Sequence, residues 1–366
     1  MHKSRLDTPC ILVDRAKLLD NIRRYQGYAD AAGIALRPHA KTHKTPEVAR
    51  LQLEAGAVGV TVAKLGEAEA MADGGVRDIL VAYPVVGSAK LARLIALAKR
   101  AKITVACDGY EAAAGISEAA LQAGLVVDVW IEVDPGYGRA GVLPGADLDR
   151  LAAALVPHRG IRVCGVLVFA GHSYDAETDA GRESIAAKEA ETAREAAEAL
   201  RGFGYAIESV SAGSTPVGRF ASAMAGVTEI RPGTYVFGDV MMVKAQALAI
   251  GQCALTVLVT VVSRPAPDRA VIDAGTKVFT MDGEASAIGT GRGYVVGRPD
   301  IEVSWFNEEH GILTLPVGER DLLVGDKLEI IPSHCCAVVN MLDEMHVVDG
   351  ERVLDTWRIA ARGKVK

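Results

Sequence analysis

The stretch RPHAKTHK, Arg37 to Lys44, gathers two histidines, two lysines and an arginine just ahead of a helix-like run. Read as a strand, its alternate residues share a face. Arg37, His39, Lys41 and His43 then lie on one side, with Leu36, Pro38, Ala40, Thr42 and Lys44 on the other. The second face is small and mostly uncharged and suits packing against helices, so the basic face points inward. Lys44 falls on the opposite face and beyond the strand end. A lysine among cations in a partly desolvated pocket has a depressed pKa, because its charged form is disfavoured twice. Such an amine attacks carbonyls and forms Schiff bases, and the alternation selects Lys41 for that chemistry. The same residues also read as a solvated salt-bridge cluster.

Other segments carry chemistry of different kinds. PSHCCAVVN (332–340) places His334 and Cys336 two apart, hence on one face of a strand, with Cys335 facing the core. Imidazole with thiolate favours Zn²⁺ over Mg²⁺ or Ca²⁺, and two protein ligands leave positions open for water and substrate. A buried pair without metal is the alternative. In SAGSTPVGRF (211–220) and RPGTYVFGD (231–239), Gly213, Ser214 and Thr215 have the composition of a phosphate cradle, or of an ordinary turn. DPGYGRAGV (134–142) projects Arg139 from a tight loop. AGHSY (170–174) offers His172 and Tyr174, as acid or base or as satisfied polar groups.

The elements that must position these residues are eight strand candidates alternating with helix-like runs. They are 35–43, 59–64, 78–84, 102–108, 127–134, 162–172, 207–215 and 229–237. Alternation of this kind indicates parallel βαβ units. The number of units predicts an α/β, TIM-like (β/α)₈ barrel, with an open doubly wound sheet as the alternative. Phosphate sites in such barrels often come from the loops after strands seven and eight, where the two glycine segments fall. From about Lys244 the pattern changes to short strands with turn signals, an antiparallel β domain. The domains are therefore 1–242 and 243–366, and CILVD (10–14) is expected to add a strand to the second.

The chain has 366 residues, half of them apolar, and a formal net charge of −6, which excludes a nucleic-acid partner. Six cysteines, two of them adjacent, do not form a disulfide framework and suit a reducing compartment. The N-terminus lacks an apolar signal region, and no run is apolar and long enough to span a membrane. These features predict a cytoplasmic enzyme that has no membrane partner.

Together, DTPCILVD, RPHAKTHKTPE, EVDPGYGRAGV, AGHSY, SAGSTP, EIRPGTYVFGD and PSHCCAVVN resemble the D-serine dehydratase and D-threonine aldolase family of pyridoxal-phosphate enzymes. RPHxKTHK and the His-x-Cys pair are the most specific of these motifs, and the resemblance runs over nearly the whole chain. It implies an alanine-racemase-like fold, fold type III, and a homodimer acting on a small D-amino acid. It implies that Lys41 carries pyridoxal 5'-phosphate and that Arg139 contacts the cofactor ring. Gly213, Ser214, Thr215 and Tyr235 would contact the phosphate, Tyr174 would be a further cofactor contact, and His172 would serve in acid–base chemistry. His334 and Cys336 would be the metal ligands. Dehydratases of the group pair histidine with cysteine and use zinc, whereas aldolases pair histidine with aspartate and use manganese or a similar ion. Cys336 therefore leans towards the dehydratases. Both branches carry a further histidine just before the AGHSY turn, where this chain has Val168, Phe169 and Ala170. That departure weakens the aldolase reading most, since there the histidine takes the hydroxyl proton. The expected reaction is dehydration and deamination of a D-3-hydroxy amino acid, D-serine or D-threonine, to a 2-oxo acid and ammonia. Retro-aldol cleavage to glycine and an aldehyde is the first alternative. A racemase, which shares the lysine and the barrel, is the second.

Overall fold

The computed structural model describes residues 1–283, 288–289 and 291–366. It divides into two compact units, Arg23–Lys41 with Pro46–Gly233 and Lys364–Lys366, and Met1–Ile22 with Thr42–Thr45 and Thr234–Gly363.

The first unit is built on eight parallel strands: β1 (Ala35–Leu36), β2 (Val60–Val62), β3 (Asp78–Val81), β4 (Lys102–Cys107), β5 (Val127–Val133), β6 (Ile161–Val168), β7 (Ser209–Ala212) and β8 (Glu229–Ile230). Their order is β1-β8-β7-β6-β5-β4-β3-β2. The segment after β1 meets β2: Thr61 N–H donates to Pro38 O at 2.8 Å, and Ala40 N–H donates to Thr61 O at 2.7 Å. These bonds and the parallel bridge His39↔Thr61 join the two edges, so the sheet curls into the expected barrel. Runs such as VTV, ILV and ITV are buried throughout, as parallel strands covered on both faces require. Helices cover the outside. Pro46 opens Pro46–Glu54, where its missing N–H costs nothing, and Thr178 caps Asp179–Gly202 by accepting from Gly181 N–H. Leu80, Ala106, Trp130, Cys164 and Leu167 pack together, one or two from each of β3 to β6.

All eight strands are shorter than the sequence suggested, the first and the last by most of their length. β1 stops at Leu36 because Pro38 has no N–H to give a ladder, and Lys41 to His43 form a turn. β8 stops at Ile230, ahead of Pro232. Alternation therefore holds as far as the buried Arg37 and does not extend to Lys41.

The second unit holds a nine-stranded sheet in the order Arg269–Ile272, Gly311–Thr314, Glu302–Phe306, Gly293–Val295, Lys327–Pro332, Leu255–Ala266, Cys10–Asp14, Glu344–Asp349, Arg352–Arg358. The N-terminal strand Cys10–Asp14 pairs antiparallel with Leu255–Ala266 and parallel with Glu344–Asp349; the remaining pairings are antiparallel. Among the described residues no helix is long and apolar enough to cross a membrane.

Candidate active site

In the barrel unit, Lys41 stands exposed in the turn at the C-terminal end of β1, the end where barrels of this kind carry their chemistry. The backbone below it is pinned on both sides, to Thr61 through Pro38 and Ala40 and to Pro232 O through His39 N–H at 2.9 Å. Its basic neighbours have separate work. Arg37 is buried and pairs with Glu229 at 2.9 Å and with Asp78. His39 Nδ1 accepts from Lys41 N–H at 3.4 Å. His43 and Lys44 belong to the other unit, where His43 Nδ1 lies 3.0 Å from Thr45 O and the buried Lys44 donates to Ala361 O. Lys44, expected on the opposite face beyond the strand end, lies past that end as a buried, left-handed residue with φ 53°.

The loop after β5 is organised by Asp134. Its Oδ1 accepts from the N–H groups of Gly136 (2.9 Å), Tyr137 (2.7 Å) and Gly138 (3.2 Å), and its Oδ2 accepts from Gly138. Gly141, with φ 112°, lets the loop return against β5; a Cβ there would stand 2.5 Å from Asp134 N. Arg139 projects from this loop, half-exposed, 3.6 Å from the buried Glu132. Its guanidinium lies 4.4 Å from the centre of the Phe169 ring. Phe169, one of the three residues before the AGHSY turn where the resemblance called for a histidine, thus supports the arginine through its π face. Burial pushes the Glu132 carboxyl up, with Arg139 and Arg231 opposing.

After β6 the segment Gly171–Tyr174 forms a 3₁₀ turn, with His172 and Tyr174 half-buried. The His172 ring centre is 6.4 Å from that of Tyr137. Ser173 Oγ shares a hydrogen bond of 3.1 Å with Ser214 Oγ, tying this turn to the segment after β7. There Gly213 has φ 80°, and a Cβ would stand 2.9 Å from Ile230 Cγ2, so the cradle takes only glycine at this point. Gly213 N–H is engaged by Glu189 at 3.2 Å, and Thr215 Oγ1 accepts from Gly233 N–H. The glycine's contribution to an anion site is therefore shape, with Ser214 and Thr215 as the hydroxyl residues. Tyr235 lies in the other unit, fully buried in the turn Thr234–Val236. Lys41, Arg139, His172, Tyr174 and Gly213–Thr215 are thus all on segments that follow barrel strands, and the glycine cradle, the hydroxyls and the guanidinium suit a phosphorylated aromatic aldehyde.

The pair expected to hold a metal, His334 and Cys336, lies in the second unit. The expectation that His334 and Cys336 share a strand face is corrected: the strand ends at Pro332, His334 stands at the N-cap position of the helix Cys335–Met341 without a capping bond from its side chain, and Cys336 is in the first turn. They act on each other electrostatically nonetheless, each favouring the other's charged form. His334 Nδ1 is held by Asp239 Oδ2 at 2.9 Å, and the same oxygen accepts from Cys335 N–H at 3.0 Å. Asp239 is fully buried and caps the helix Val240–Lys244 through Met242 N–H. Cys336 Sγ is 3.3 Å from Thr42 Oγ1, the residue after Lys41 in the chain. Burial opposes the charge on His334, but the Cys336 thiolate and Asp239 prevail and raise its pKa to about 11. The Cys335 thiol, the His334 charge and the Thr42 hydroxyl together hold Cys336 well below the usual thiol range. An imidazole steadied by a buried carboxylate beside a thiol whose pKa is held low is a donor set that fits zinc.

Sequence reasoning missed Asp239, Asp134 and Glu189. Asp239 precedes the apolar VMMV and so carried an N-cap signal, and Asp134 opens a Pro-Gly turn. Glu189 is one acid among many on its helix and had no signal.

Residues 13–240 match the family described as alanine racemase, N-terminal domain, and residues 254–348 match a serine dehydratase domain. The chain is 36% identical to the D-threonine aldolase of Arthrobacter sp. over 98% of its length and 94% of the relative's. It is also 36% identical to the D-threo-3-hydroxyaspartate dehydratase of Delftia sp. (strain HT23), over 96% of this chain and 97% of that one. Among solved structures, a D-threo-3-hydroxyaspartate dehydratase variant in the metal-free form superposes with a TM-score of 0.91 at 35% identity, covering 98% of each chain.

Proposed function

We propose a lyase function for this chain, which belongs to the alanine racemase N-terminal domain family and, along its whole length, to the family of D-threonine aldolase and the D-serine-dehydratase-type enzymes. The substrate class is a D-3-hydroxy amino acid, and the favoured reaction is loss of water and then of ammonia to leave a 2-oxo acid. One observation carries this choice: the group paired with His334 is the thiolate of Cys336, backed by Asp239, a donor set suited to zinc. A metal-free form of the related dehydratase supports the presence of a metal in that protein.

Pyridoxal phosphate on Lys41 would supply an electron sink, and zinc on His334 and Cys336 a Lewis acid for the departing β-oxygen. Lys41 Nζ takes the α-proton as general base. Arg139, steadied by Glu132 and Phe169, binds the cofactor ring, while Ser214 and Thr215 hold the phosphate. His172 and Tyr174 are assigned to proton movement and cofactor contact at the mouth of β6. Neither Phe169 nor Ala170 can take a hydroxyl proton, and a retro-aldol reaction needs that base.

The aldolase reading is the second, favoured by the equal similarity to D-threonine aldolase. The purified protein given D-serine and D-threonine separates the two. Pyruvate and 2-oxobutyrate with ammonia are expected; glycine as the sole product sinks the dehydratase reading. Full activity after exhaustive chelation would instead favour a racemase, whose chemistry needs no metal. A homodimer is proposed on the same footing, with sedimentation as its check.

A further inference from the structure

Glu189 lies on the helix Asp179–Gly202 and is 1% exposed. Its Oε1 accepts from two backbone groups, Ala170 N–H at 3.0 Å and Gly213 N–H at 3.2 Å. Its Oε2 is buried and has no hydrogen-bond partner. Ala170 leads into the turn Gly171–Tyr174 after β6, and Gly213 follows β7. The ladder between β6 and β7 ends at Leu167↔Ser211. Ala170 and Gly213 lie just past it, where the sheet offers their N–H groups nothing. A single carboxylate oxygen thus continues the sheet where its own pairing has run out, and the Ser173–Ser214 hydrogen bond joins the same two segments further along.

The arrangement carries a cost that an apolar residue would avoid. The opposing charge that acts on it, Arg231, is already committed to Ser211 Oγ and Val168 O, and burial pushes the Glu189 carboxyl up to about 7. Leucine or alanine would remove that cost but leave two buried N–H groups unbonded.

We propose that Glu189 is a positioning residue for the phosphate segment, fixing Gly213 to Thr215 against the β6 turn so that the hydroxyls of Ser214 and Thr215 face the anion. This rests on the reading of Gly213–Thr215 as phosphate contacts. The test compares the full-length protein with Glu189→Ala, Glu189→Gln and Glu189→Asp, titrating each with pyridoxal phosphate and with pyridoxal, which lacks the phosphate. Loss of the two hydrogen bonds accepted by Oε1 weakens pyridoxal phosphate binding by about tenfold or more in Glu189→Ala, with pyridoxal binding unchanged. Glu189→Gln keeps a carbonyl oxygen in place of Oε1 and is expected to restore most of the affinity. Glu189→Asp draws the carboxylate back by one methylene; it is expected to fall between the two, and it serves where the alanine variant does not fold. Unaltered phosphate discrimination in Glu189→Ala or Glu189→Asp, or an equal loss of both ligands, overturns the proposal. Backbone hydrogen exchange at Ala170 and Gly213, measured without cofactor, is expected to quicken in the same variants. If the wild-type protein does not distinguish the two ligands, the phosphate assignment itself fails, and the exchange rates still decide whether Glu189 ties the segments.

Discussion

Substituting Glu189 by glutamine should change how stability depends on pH, by an amount the structure sets. Burial raises this carboxyl from its ordinary 4.5 to about 7, against the opposing pull of two N–H bonds and of Arg231. At about 1.4 kcal/mol for each pH unit, the full difference is about 3 kcal/mol. The sign follows from linkage: a folded-state pKa above the unfolded one means that the protonated form favours folding. The contribution is therefore fully present below about pH 4.5 and is lost as pH rises through about 7. Glutamine cannot ionise and carries no such loss. Urea unfolding at about pH 5 and about pH 8 should show the wild-type protein losing about 2–3 kcal/mol relative to Glu189→Gln between the two conditions. Only this difference matters, because the glutamine amide replaces Oε2 with a buried donor of its own and shifts both values alike. Histidines and other groups titrating in the same range cancel between the two proteins. Parallel profiles would refute the argument, since they would mean that Glu189 ionises in the fold as readily as in water.

The other predictions concern the two halves of the proposed chemistry. Lys41→Ala should abolish the visible absorbance of bound pyridoxal phosphate and all lyase turnover, with little effect on unfolding because Lys41 is exposed; a retained band would move the cofactor lysine elsewhere. Because the Cys336 thiolate and Asp239 raise the His334 pKa to about 11, zinc would have to displace its proton. Its affinity should rise about tenfold per pH unit between about pH 7 and 9, in competition with a chelator whose own pH dependence is known; a flat profile refutes the imidazolium assignment. Asp239→Ala removes a helix cap worth about 1 kcal/mol and leaves buried donors at Cys335 and His334, each costing about 1–3 kcal/mol. Urea unfolding should register about 3–7 kcal/mol in total, and a loss below about 0.5 kcal/mol would contradict the bonding at that carboxylate.

Period and composition made the barrel legible, because VTV, ILV, ITV and VDVWIEV are runs that only a doubly covered parallel sheet buries. The N-terminal strand could be assigned to the β unit because CILVD precedes the first helical run. Alternation succeeded at Arg37 and lapsed at Lys41, since Pro38 ends the ladder. The proposal for Lys41 does not depend on that pleat, because a residue just past a barrel strand stands at the end where barrels carry their chemistry whether its face is set by pleat or by turn. His334 and Cys336 show the converse. A spacing of two was read as a strand face, yet the pair forms across a cap and the first turn of a helix, brought together by Asp239 from far away in the chain. No local pattern encodes that.

What the sequence hid most completely is a device used three times. Asp134, Glu189 and Asp239 are buried carboxylates, and each gathers backbone N–H groups at the root of a segment carrying proposed site residues. Asp134 takes three from the Arg139 loop, Glu189 takes one on each side of the β6–β7 gap, and Asp239 takes those of Met242 and Cys335 while holding His334. The common cause is that segments beyond a strand end have donors but no ladder, and a buried donor left unbonded costs about as much as a hydrogen bond contributes. Water would satisfy such donors without fixing their direction. A carboxylate accepts several at once from a fixed point, and because it cannot donate when ionised, the direction of each bond is settled. Its own burial is tolerable only while those bonds hold, so each segment and its carboxylate are stable together or not at all. The positions of Arg139, Ser214 and His334 thus depend on residues that need never touch a substrate.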